Sequence, residues 1–228
     1  GPPHARVHRD VGEPGHRVHL VQDDLAVRGH EEVHAGQPVA RERIEGARNF
    51  ANKLWNAARF VFLNMERCAV DPQVPDAGTA ERFEDRWIAA RLNETADGMN
   101  KSLEAHRYHE AAQLIWHFFW DDFCDWYLEI KKLRFVDNSG LNQDWRSLLS
   151  TFEAGLRLLH PIMPFLTEEL SHRLDASKSI SLKAYPKFDA ALADDAAVRE
   201  MSVMQEIIVA ARNIRAERKI DRKVMLNA

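Results

Sequence analysis

From Arg43 onward the apolar residues recur at three- and four-residue intervals, the period of a helix that buries one face. The spacing predicts helices over 43–67, 80–104, 107–134, 141–159 and 162–174, with a last one over 196–218. Pro72 and Pro75 break the first connection, and Asp137-Asn138-Ser139-Gly140 supplies turn residues for a later one. Leu159 and His160 precede Pro161, which disfavours continued helix, so Pro161 is expected to sit in the first turn of the next helix. Beyond Asp175 the period changes: Ile180-Ser181-Leu182-Lys183-Ala184-Tyr185 alternates apolar and polar, as a short strand does. Lys223-Val224-Met225-Leu226 is expected to begin a second strand, and the end of the chain reads as truncated. The pattern predicts an all-α helical bundle over 43–178, followed over 179–228 by a small, incomplete α/β extension.

Two helices carry the most information. Between Leu114 and Ile130 apolar residues fall on nearly every side, the pattern of an element packed between others. Trp116, Phe118, Phe119, Trp120, Phe123, Trp126 and Tyr127 are therefore expected to supply much of the core. Around the first helix, Phe50, Leu54, Ala57, Val61 and Met65 form one stripe, widened by Trp55, Ala58 and Phe62. Arg48, Asn52 and Arg59 lie nearly opposite, and Asn49, Lys53, Asn56 and Phe60 form a flank. A core stripe with a solvated back explains this arrangement. A flank of amides, cations and an exposed ring also suits single-stranded RNA: amides read base edges, cations hold phosphate, and an aromatic stacks on an unpaired base.

Residues 1–42 stand apart. They contain no Phe, Trp, Tyr or Lys, yet carry six of the 11 histidines. Gly1-Pro2-Pro3 and Gly12-Glu13-Pro14-Gly15 interrupt any sustained period, which reads as loop or disorder. His4/His8 and His30/His34 have the spacing of helical metal ligands, but no third ligand completes a motif and no metal site is expected.

Composition narrows the classes. The 228 residues can bury one main core, and no apolar run approaches a membrane span. The first thirty residues lack a signal-peptide layout, so a cytoplasmic protein with no membrane partner is expected. Cys68 and Cys124 are not in metal-ligand spacing and read as reduced, buried thiols. The net charge of −4 excludes an indiscriminate polycation, but the basic charge is concentrated. Residues 43–67 carry five basic against two acidic residues, and 212–223 carry six against two. Arg212, Arg215, Lys219 and Arg222 are spaced to share one face of the final helix, either as a solvated face or as a secondary contact with RNA phosphate. Asp121, Asp122, Asp125 and Glu129 could be mistaken for an acid/base or metal cluster, but are expected to pair with Arg86, Arg91 or Arg107. His160-Pro161 with Pro164 reads as geometry, because no nucleophile stands in a recognisable setting near it.

The run Arg48-Asn49-Phe50-Ala51-Asn52-Lys53-Leu54-Trp55-Asn56-Ala57-Ala58-Arg59-Phe60 resembles the opening helix of the anticodon-binding domain in valyl-tRNA synthetases. Further similar segments follow in the same order as in that family. They are Asp85-Arg86-Trp87-Ile88, Arg91-Leu92-Asn93, Phe118 to Glu129, Leu158 to Leu170, and Ala211 to Glu217. The resemblance covers about residues 43 to 220 and nothing before them, so 1–42 is expected to be an atypical leader, disordered or non-native. It implies the class I synthetase bundle, and a partner in the anticodon stem-loop of valine tRNA. Arg48, Asn49, Lys53, Asn56, Arg59 and Phe60 would form the contacting face.

In that family the amino acid is activated elsewhere, in a Rossmann-type domain with His-Ile-Gly-His-like and Lys-Met-Ser-Lys-Ser-like motifs. Neither stands in this sequence, and Ser177-Lys178-Ser179 lies after the anticodon helices, out of the family's order. No catalytic residue, cofactor or ATP site is therefore expected in this chain. ATP and magnesium would belong to a parent enzyme, whose catalytic domain would be a second partner. The alternative, from a different class, is a helical protein-interaction module whose basic flank has no specific RNA role.

Overall fold

The computed structural model describes residues 38–65, 82–137 and 141–221. Several expectations lie outside the described residues: nearly all of the leader, the break at Pro72 and Pro75, Cys68, the Asn138–Gly140 turn, the strand at 223–226 and Arg222.

Seven α-helices are described. They are α1 (Pro38–Met65), α2 (Phe83–Glu104), α3 (Tyr108–His117), α4 (Leu128–Asp137), α5 (Leu141–Leu159), α6 (Pro164–Leu174) and α7 (Asp195–Glu217). The all-α bundle expected from the periodicity is the fold. The first helix begins at Pro38, so residues 38–42 are helical where loop was expected. Its apolar stripe faces inward as the spacing demanded: Phe50, Leu54, Ala57, Ala58 and Val61 are buried.

The single helix expected over 107–134 is built differently. Between α3 and α4, Phe118–Tyr127 forms a π-helical segment, whose i→i+5 hydrogen bonds replace the i→i+4 ladder. The wider turn brings residues four and five apart onto one face. Phe118, Phe119, Phe123 and Tyr127 all enter the core, where an α-helix of the same sequence would turn one of them away. Phe152 of α5 receives two of these rings, Phe123 stacked at 5.7 Å and Phe119 edge-on at 6.3 Å. Gly155, one turn further along α5, allows this approach, because a Cβ there would lie 2.8 Å from Phe119 Cζ and 3.4 Å from Phe118 Cε1. Each ring of this kind contributes roughly 1.5–3 kcal/mol by leaving water.

The segment after Asp175 departs from expectation. No strand forms among the described residues, and 180–185 opens instead with a 3-10 turn over Ile180–Leu182. A lone strand would leave its backbone groups without a ladder partner. Here Ser179 caps the turn by accepting from the Ser181 N–H, and Ile180 is buried while Leu182 is 78 % exposed. Opposite burial two residues apart is incompatible with one face of a strand. The segment packs onto the bundle, since Ile180, Ala197 and Met201 belong to the same core cluster as α1.

Pro161 was expected in the first turn of a helix; it lies in the turn after α5, and Pro164 takes the first-turn position of α6. His160 Nδ1 lies 2.7 Å from Thr167 Oγ1, whose hydroxyl also reaches the Met163 carbonyl at 2.9 Å. This ties the turn to the helix that follows, in keeping with a geometric role.

One cluster in the core is charged. Lys131 of α4, with no exposed side-chain surface, sits 2.7 Å from Asp85 of α2 and 2.7 Å from Asp144 of α5. Arg82 reaches the second oxygen of Asp144 at 3.2 Å, and the Tyr127 hydroxyl donates to Asp85 at 2.6 Å. Burial raises the Asp85 carboxyl, against the opposing pull of Lys131. Burial and the neighbouring Asp85 push the Tyr127 phenol well above its ordinary range. Three helices are thus joined through one buried ammonium.

Candidate nucleic-acid interface

The outward side of α1 follows from its inward stripe. With Phe50, Leu54 and Val61 fixed in the core, the 100° step puts Arg48, Asn49, Asn52, Asn56 and Arg59 in solvent, and all five are exposed. Arg48, Asn49, Asn56 and Arg59 have no hydrogen-bond or ion-pair partner among the described residues. Two cations and two planar amides are therefore free to meet a ligand from one helix.

Lys53 and Phe60 differ from that description. Lys53 Nζ lies 2.7 Å from Asp125 Oδ1 on the π segment, and 3.9 Å from the centroid of Trp120. Its side chain is 24 % exposed. Phe60 was expected as an exposed stacking ring; it is half-buried, packs on the core cluster and lies 5.8 Å from Phe135 of α4. The ring period alone could not reveal this, because Phe135 reaches it from another helix. Sequence reasoning also missed Lys132, which pairs with Glu129 at 2.5 Å and lies 5.8 Å from the Phe60 ring. Its only signal was position, since 132 and 125 are seven residues apart and fall near one another along the same run.

The acidic residues of the π segment are paired rather than clustered for chemistry. Asp122 meets Arg91 at 2.9 Å, one of the pairings expected. Burial raises the Asp122 carboxyl, with Arg91 pulling the other way. Asp121 lies 2.8 Å from His117, Asp125 takes Lys53 and Glu129 takes Lys132. Arg86 goes to Asp194 at 3.7 Å and Arg107 to Glu110 at 3.1 Å, so neither meets the carboxylates assigned to it. No group of three or more His, Cys, Asp or Glu suited to a metal occurs among the described residues. Cys124 is a buried free thiol, pushed up to about 12 by desolvation.

The proposed secondary face on the last helix is shorter than its spacing suggested. The helix ends at Glu217, and Lys219 takes a left-handed φ of 53°. The Lys219 N–H donates to the Ala216 carbonyl at 3.0 Å and the Ile220 N–H to Arg215 at 2.9 Å, the paired bonds of a Schellman end. Lys219 is therefore turned off the helical stripe. Arg212 is exposed and lies 5.6 Å from the Trp126 ring, while Arg215 donates to the Asp221 carbonyl at 2.8 Å. No described helix is long and apolar enough to cross a membrane.

The structure is that of an all-α bundle with cations and amides exposed along one helix. A family model described as the anticodon-binding domain of tRNA ligase matches residues 85–228, and the chain belongs to that family. Among the relatives it resembles are valine–tRNA ligases. That of Solibacter usitatus is 48 % identical over 192 residues, covering 82 % of this chain and 21 % of the relative. Those of Enterococcus faecalis and Laribacter hongkongensis are 42 % and 40 % identical, each covering 77 % of this chain and 20 % of the relative. The chain spans about a fifth of the length of these curated relatives. Among solved structures, the ternary complex of LeuRS, tRNA and LeuAMS from Agrobacterium radiobacter aligns with 65 % of this chain and 17 % of its own. The TM-score there is 0.48 at 16 % identity, a likeness that carries no argument.

Proposed function

We propose that the chain recognises the anticodon stem-loop of valine tRNA, as the reading domain of a longer valine–tRNA ligase. Arg48 and Arg59 would hold phosphate or guanine, and Asn49 and Asn56 would read the edges of unpaired bases. Lys53 would contact phosphate from the α1 flank. Phe60 is half-buried against Phe135, so its part is to support the flank. Arg212 and Arg215 of the last helix would add phosphate contacts. ATP and magnesium would serve the catalytic domain of the longer enzyme, the second partner of this chain, in a cytoplasmic protein. The observation that carries the reading is the row of Arg48, Asn49, Asn56 and Arg59, unpartnered among the described residues, on the helix whose run 48–60 resembles the opening helix of the valyl-tRNA synthetase anticodon domain.

A filter-binding titration tests it. Valine tRNA should bind the chain, and changing its anticodon should weaken binding. Asn56→Ala and Asn49→Ala should narrow that difference, since amides that read bases carry discrimination while cations carry affinity. Equal affinity for every tRNA would leave only unspecific charge and would remove the proposal.

A further inference from the structure

We infer that Asp125 determines whether Lys53 is available to RNA, because its carboxylate already occupies the place on Lys53 that a backbone phosphate would take. The inference rests on the reading of α1 as an anticodon-loop contact, and concerns the regulation of that same surface.

The geometry supports an exchangeable latch rather than a structural rivet. One donor of the Lys53 ammonium points to Asp125 Oδ1 at 2.7 Å, and the indole of Trp120 lies 3.9 Å from the same nitrogen. Together they draw the cation off α1 and onto the π segment. Yet the two side chains keep 24 % and 38 % of their surface exposed, so water and ions reach the pair. Partly exposed pairs of this kind hold little net free energy, little enough for a phosphate to displace. Asn49 and Asn56 stand one turn to either side of Lys53, both exposed, so a strand lying on them passes over the latch. Arg48 and Arg59 have no such competitor among the described residues. Binding at Lys53 is thus the exchange of one anion for another, and its net gain is smaller than at either arginine.

Asp121 provides an internal control. It lies on the same segment and is exposed, but His117 holds it at 2.8 Å and it does not touch Lys53. Asp125→Asn and Asp121→Asn each remove one negative charge, so a purely long-range effect on RNA would be shared by both.

The experiment uses the 228-residue chain and an anticodon stem-loop hairpin of valine tRNA, titrated across a range of salt. Asp125→Asn should tighten binding by up to about fivefold relative to Asp121→Asn, the release of one half-exposed pair. It should also steepen the slope of log K against log salt by about 0.7, the signature of one more single-strand phosphate contact. The double variant Lys53→Gln with Asp125→Asn removes both charges. It should bind more tightly than Lys53→Gln alone, which leaves Asp125 facing RNA, and more weakly than Asp125→Asn alone. That comparison also serves if Asp125→Asn by itself proves unstable. The inference is overturned if Asp125→Asn binds no tighter than Asp121→Asn, or if the double variant is as weak as Lys53→Gln alone. Failure of the underlying reading looks different: the parent chain would bind an altered-loop hairpin as well as the valine one.

Discussion

Lys53 and Lys131 are held by the same kinds of group, a carboxylate and an aromatic ring, yet they differ in what surrounds them. Lys131 has no exposed side-chain surface and lies between Asp85 and Asp144, each 2.7 Å away, with Tyr127 as its ring at 5.4 Å. Lys53 has one carboxylate, one ring and a quarter of its surface in water. In the interior a charge must be matched where it stands, because the alternative is an ion in a poorly polarisable medium. At the surface, water competes for both partners, and the pair holds only a fraction of that energy. Burial therefore decides which lysine is architecture and which remains free to change partners.

Replacing Lys131 sharpens the contrast most. Lys131→Met keeps the length of the side chain but leaves Asp85 and Asp144 without the ammonium between them, with Arg82 on Asp144 and the Tyr127 hydroxyl on Asp85 remaining. Denaturant unfolding should show a loss of about 3–5 kcal/mol. A loss under about 1 kcal/mol would mean that the buried cluster is no more coupled than a surface pair.

Arg134 and Glu84 give an intermediate case, since Glu84 is buried and Arg134 half-exposed, 2.8 Å apart. Burial alone would raise the Glu84 carboxyl, but the hydrogen bond and charge of Arg134, with a backbone hydrogen bond and the charge of Lys131, outweigh it and hold it below its ordinary value. A depressed carboxyl contributes stability above its unfolded value, and that stability is lost as pH falls through the folded value. Arg134→Gln should cost about 1 kcal/mol near neutrality and much less once Glu84 is protonated, as read from unfolding curves across acid pH. An equal cost at both ends would detach the effect from Glu84.

The smallest effect should come from Lys53→Gln, with a stability change within about 1 kcal/mol in the same assay. A loss as large as that of Lys131→Met would abolish the distinction and make Lys53 a structural residue.

The bundle was legible because helical periodicity is a local property. The stripe Phe50, Leu54, Ala57 and Val61 had to face a core whatever that core proved to be, and the exposure of Arg48, Asn49, Asn56 and Arg59 followed from it. Phe60 was misplaced because a single helix cannot show that Phe135 will cover a ring on its flank. The run from Phe118 to Tyr127 announced its burial through its aromatics, but not its π-helical turn, which depends on how four rings fit against α5. The alternation at 180–185 was true of the sequence and false of the structure, since a strand requires a partner to share its hydrogen bonds.

The chain by itself determined which segments are helical, which faces are apolar and where basic charge accumulates, because these depend on neighbours three or four residues away. Tertiary structure alone decided the pairing of charges: that Asp125 meets Lys53, that Lys131 lies between two aspartates, and that Arg86 and Arg107 turn elsewhere. Ion pairs between helices form wherever packing brings their ends together, and that geometry is set by the crossing of whole helices rather than by the spacing of any one of them.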